Sequence, residues 1–86
     1  MQSNFNELCV QLGQRLTAFR KSMGISQEEL AFRAEIDRTY ISQMERGVCN
    51  PSLLVLYKVS EALEKDLLDC FKETEIDSVL NHRHIE

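Results

Sequence analysis

Three residues, Glu35, Ile36 and Asp37, are all that separate two short segments whose apolar residues repeat at helical spacing. In the first, Ser26 stands three residues before Glu29, the spacing of a capping box. Gln27 to Ala34 is therefore predicted to be a helix burying Leu30, Ala31 and Ala34. In the second, Asp37 can cap a helix in which Tyr40, Ile41 and Met44 share one face and which ends at Arg46 and Gly47. A connection this short brings the two helices together at once, and small Ala31 and Ala34 stand where they must approach closely.

The flanks supply what such a pair packs against. Phe5, Leu8, Leu12, Leu16, Phe19 and Met23 recur at steps of three and four, predicting an amphipathic helix from about Asn6 to Ser22. Gly24 closes it in the left-handed conformation, and Ile25 can fold back over the end. Asn50-Pro51-Ser52 reads as a turn and N-cap that open a fourth helix, with Leu53, Leu56, Val59, Ser60 and Leu63 inward. Asp66 with Asp69 caps a fifth, where Leu67, Cys70 and Phe71 close the core, and Ile76, Val79 and Leu80 form a last apolar cluster. The expected fold is all-α, five short helices in one domain over residues 1–80, followed by a polar tail, 81–86, that frays.

At 86 residues the chain has room for one small core. No apolar run approaches a membrane span, and the polar residues among the first twenty exclude a secretory leader, so the expected location is the cytoplasm. Cys9, Cys49 and Cys70 form no CxxC pair, so reduced thiols are expected. A metal site using His82, His84 and a cysteine is not expected, nor is any cofactor or small-molecule effector. No nucleophile with a base, no carboxylate dyad and no phosphate-cradling glycine loop is present, which argues against an enzyme. The net charge of -4 is unevenly placed: residues 1–50 hold six basic and six acidic residues, whereas 51–86 hold four and eight. Net charge thus argues weakly against a nucleic-acid partner, but its distribution matters more than the sum.

Several separated stretches agree with one family in order and spacing: Ser26 to Ala31, Ile36 to Ser42, Glu45-Arg46-Gly47 and Asn50-Pro51-Ser52. From Leu12 to Phe71 the chain resembles the Cro/cI-type (XRE) helix-turn-helix DNA-binding domain, of lambda-repressor-like fold. Within that family it is most like the controller proteins of restriction-modification systems. The resemblance implies a transcriptional regulator whose third helix enters the major groove of duplex DNA while the second crosses the backbone. Arg38, Thr39, Ser42 and Gln43 are then the base-reading candidates, with Arg38 suited to the O6 and N7 acceptors of guanine. Gln27, Tyr40, Arg46 and Asn50 are candidates for phosphate contacts.

Arg20 and Glu45 occupy the places of an ion pair joining the first helix to the end of the third. Glu28 and Glu29 lie where related activators touch the RNA polymerase sigma factor, although both also suit a helix N-terminus through its dipole. One reading helix gives modest specificity, so a homodimer on a near-palindromic operator is implied. Leu54, Val55, Tyr57, Leu68, Phe71, Ile76, Val79 and Leu80 supply the surplus apolar surface for it. Glu35 and Glu64 stand where the family often has glycine, and Cys49 where controllers are often basic. The competing reading is a protein-interaction module, such as an antitoxin, built on the same fold.

Overall fold

A computed structural model describes residues 4–71. In chain order these form α1 (Phe5–Ser22), α2 (Gln27–Ala34), α3 (Arg38–Arg46), α4 (Leu53–Ala62) and a 3-10 helix, Leu67–Phe71. Each α-helix starts on a side-chain acceptor. Asn4 Oδ1 takes the N–H of Asn6 at 2.8 Å, Ser26 Oγ that of Glu29 at 3.0 Å, Asp37 Oδ2 that of Thr39 at 3.2 Å, and Ser52 Oγ that of Val55 at 3.1 Å.

The four helices also finish alike. Gly24, Glu35, Gly47 and Glu64 adopt positive φ of 73°, 59°, 73° and 61°. The next N–H, from Ile25, Ile36, Val48 and Lys65, returns to the carbonyl five residues back, on Arg20, Ala31, Gln43 and Ser60. This is the Schellman closure, which satisfies carbonyls a helix end leaves open. With both ends of every helix fixed by local chemistry, the short connections leave little freedom in how the helices meet.

α3 packs on both α1 and α2, α4 packs on α2, and the 3-10 helix lies against α1 and α4. The core between them is Leu12, Leu16, Leu30, Ala31, Ala34, Ile41, Met44, Leu56, Val59, Leu63 and Cys70. Burying a leucine or isoleucine side chain here stabilises by about 2 kcal/mol. Ser60 is also fully buried, and its hydroxyl donates to the Tyr57 carbonyl at 2.8 Å.

Gly13 brings α1 against the C-terminal carbonyls of α3. A Cβ there would stand 2.5 Å from the Glu45 carbonyl oxygen and closer still to that of Met44. Gly47 makes the matching approach from the other side, where a Cβ would meet Val10 Cα at 2.6 Å. No helix among the described residues is long and apolar enough to cross a membrane.

Four expectations need correction. The capping box of α2 is half formed: Glu29 turns its carboxylate to Arg33 Nε at 2.8 Å, since a charged partner one turn away outbids a neutral backbone donor. Phe5 and Leu8 are exposed, because they precede Cys9, where α1 first meets the core. Leu53, expected inward, is 68% exposed, and the inward face of α4 begins at Leu56. The fifth helix is a single 3-10 stretch in which Cys70 is buried and Phe71 exposed. Asp69 caps it, accepting from the Asp66 N–H at 3.1 Å. Ile76, Val79, Leu80 and the tail 81–86 lie outside the described residues.

Candidate nucleic-acid interface

At 100° per residue, Arg38, Thr39, Ser42, Gln43 and Arg46 fall within an arc of about 140° on α3, opposite Ile41 and Met44. The burial follows that geometry: Ile41 and Met44 are in the core, Arg38, Thr39 and Arg46 are exposed, and Ser42 and Gln43 half-buried at the margins. The outer face of α3 thus carries short polar side chains with an arginine at each end. Among the described residues no acidic side chain pairs with Arg38 or Arg46. A groove about 12 Å wide, the major groove of B-DNA, accepts such a helix, and an unpaired arginine fork at its start can reach base edges.

Where α3 ends, three helices meet at one carboxylate. Glu45 Oε2 accepts from Arg20 Nε at 2.6 Å and Oε1 from Arg20 Nη2 at 3.0 Å, a two-point pairing with both side chains almost out of solvent. Arg20 Nη1 also donates to the Ile25 carbonyl at 2.9 Å, tying the turn after α1 into the same cluster. Gln27, the first residue of α2, donates from Nε2 to Glu45 Oε1 at 2.9 Å. Burial pushes the Glu45 carboxyl up, but hydrogen bonds from Arg20 and Gln27 together with the Arg20 charge outweigh it. The net effect holds Glu45 below its ordinary value.

The start of α2 is close by. Ser26 occupies the Glu29 N–H and the Ser26 carbonyl takes the Leu30 N–H, leaving those of Gln27 and Glu28 directed off the helix end. A helix N-terminus with free N–H groups beside an arginine-bearing helix face is an arrangement suited to phosphate. A family model described as helix-turn-helix matches residues 16–69, spanning all of α2 and α3 and the turn between them.

The chain belongs to the helix-turn-helix family.

Its relatives sharpen the comparison. This helix-turn-helix chain is 46% identical over 68 residues to the control protein C.BamHI of Bacillus amyloliquefaciens, covering 74% of this chain and 84% of that protein. Among solved structures, the restriction-modification controller protein C.AhdI from Aeromonas hydrophila superposes with a TM-score of 0.72 at 41% identity, over 73% of this chain and 96% of that one. C.Esp1396I, a controller solved as a tetramer in complex with its natural 35 base-pair operator, gives 0.69 at 31% identity over 74% and 84%.

Other expected positions of the helix-turn-helix unit are distributed as follows. Tyr40 is half-buried and packs on the core, while Asn50 is exposed ahead of α4. Glu28 is exposed, but Glu29 is engaged with Arg33. Leu54, Tyr57, Leu68 and Phe71 are exposed, whereas Val55 is half-buried against the core and contributes there instead. Burial raises the thiols of Cys49 and Cys70, Cys49 further through Cys9 and Cys70 through Asp69. Sequence reasoning passed over Gly13, although a lone glycine inside an 18-residue helix is a legible sign of close approach. It also missed the Gln27–Glu45 bond, for which nothing in the spacing gives a signal.

Proposed function

We propose that the protein regulates transcription by binding a near-palindromic DNA operator as a homodimer, with α3 in the major groove. Arg38, Thr39, Ser42 and Gln43 read base edges, and Gln27, Tyr40, Arg46 and Asn50 hold the backbone. The observation that carries this reading is the outer face of α3, polar and arginine-ended, with no acidic partner among the described residues taking up either arginine. Nothing in that face is a catalytic constellation, and the proposed role needs no reaction. The likeness to C.BamHI and C.AhdI favours control of a restriction-modification locus. Glu28, exposed at the start of α2, remains available for a polymerase sigma contact; Glu29 is less so, being held by Arg33.

The test is selection of duplexes from a random pool by the wild type and Arg38→Ala, at two salt concentrations. A twofold-symmetric site should emerge, and the variant should lose about 1–3 kcal/mol of discrimination at one base position per half-site while keeping salt-sensitive nonspecific binding. Failure to enrich any site would favour the protein-interaction reading.

A further inference from the structure

We infer that Glu45 is a positioning residue for DNA binding, acting through the side-chain amide of Gln27 at the start of α2. The inference rests on the reading of Gln27 as a phosphate contact. A free glutamine offers a phosphate either end of its amide, and only the NH2 end is attractive. A carboxylate accepts and never donates, so the Gln27 Nε2 to Glu45 Oε1 bond of 2.9 Å selects the NH2 end and anchors it. With one N–H taken by Glu45, the other is the single side-chain donor left for phosphate. Its direction is set by the anchor.

Arg20 has a matching part. An unpaired carboxylate one hydrogen bond from a phosphate contact would repel the backbone it helps to bind. Arg20 covers both oxygens of Glu45, at 2.6 and 3.0 Å, so the anchor orients without presenting net negative charge. The pair that joins α1 to α3 thus also prepares the end of α2. The three groups come from three helices, and Glu45 is the one held by both of the others.

The experiment is a double-mutant cycle on full-length protein, with Gln27→Ala, Glu45→Gln and the double variant. Affinity is measured for a selected duplex and for an unrelated one, at a temperature where circular dichroism shows all variants folded. In Glu45→Gln one acceptor oxygen is left for the two Arg20 donors; placed opposite Arg20 Nε, it turns the new NH2 toward Gln27, which favours the flipped amide. Each single variant should lose about tenfold in affinity for both duplexes, the loss of a hydrogen bond to a charged group. The double variant should be no weaker than either, and the ratio between duplexes should hold, since Gln27 is read as a phosphate contact and phosphates carry no sequence.

Losses that multiply in the double variant, or a fall in the ratio with Glu45→Gln alone, would overturn the inference and leave Glu45 a purely structural residue. Wild-type affinity in Gln27→Ala would instead remove the phosphate contact itself, and the inference with it. Should Glu45→Gln not fold, wild-type protein still decides through its Gln27 amide resonances. Two well-separated protons, one of which moves on adding duplex, are expected; an averaged, unrestrained pair would refute the anchor.

Discussion

Glu35 and Glu64 do a glycine's work. Both hold φ near +60° at the closure of a helix, where an L side chain crowds the following carbonyl and costs about 1 kcal/mol or more. Replacing either with glycine relieves the crowding, although the added freedom of the unfolded chain returns part of the gain. Glu35→Gly should stabilise by about 0.5 kcal/mol, raising the thermal midpoint by about 2–4 °C in a domain of this size. Calorimetry checks it, and an unchanged or lower midpoint would contradict the strain. The opposite change, Gly13→Ala, drives a methyl into the Met44 and Glu45 carbonyls and should cost about 1–3 kcal/mol. Chemical denaturation would show it as a lower midpoint at unchanged slope.

Helix ends were the most legible level of the chain. Ser26, Asp37 and Ser52 cap where their side chains predict, and the interval Glu35 to Asp37 defines the turn, because capping is decided within four residues. Faces were read less well. Leu53 and Phe5 carry the same period as their buried neighbours, and only the reach of the core separates them. The polar outer stripe of α3, proposed to read bases, was legible because it is the complement of Ile41 and Met44. The Gln27–Glu45 bond spans 18 residues and follows from how three helices meet, which no local pattern encodes. The element that depends most on that meeting is α3. Removing one partner of the nearly buried pair, as in Arg20→Ala, should cost about 3 kcal/mol and lower the midpoint by more than 10 °C. Because Glu45 sits below its ordinary 4.5 in the fold, its stabilisation is complete above that pH and is lost as pH falls through the lower folded value. Melting curves between about pH 6 and pH 3 should therefore fall less steeply for Glu45→Gln than for the wild type. Parallel curves would show that the pair carries no proton linkage.

At the scale of the whole molecule, the acidic excess lies beyond residue 50 and the arginines of α3 lie before it, so the two ends of the chain suit different company. Leu54, Tyr57 and Leu68 remain 63%, 51% and 69% exposed, an apolar surface that the proposed homodimer would cover. Tyr57→Glu should convert a dimer to a monomer in sedimentation at unchanged helicity, and should reduce binding to a full palindrome far more than to one half-site. An equally dimeric variant would move the interface elsewhere. The pin at Glu45 has a further consequence. It sits seven residues from Arg38, a lever arm of about 10 Å along α3. A swing of about 6° around that fulcrum moves the arginine fork by about 1 Å, enough to spoil a bidentate match to a base. In the proposed binding mode, operator preference can therefore drift through substitutions in α1 that change no reading residue, and two proteins with identical reading residues need not recognise identical sites.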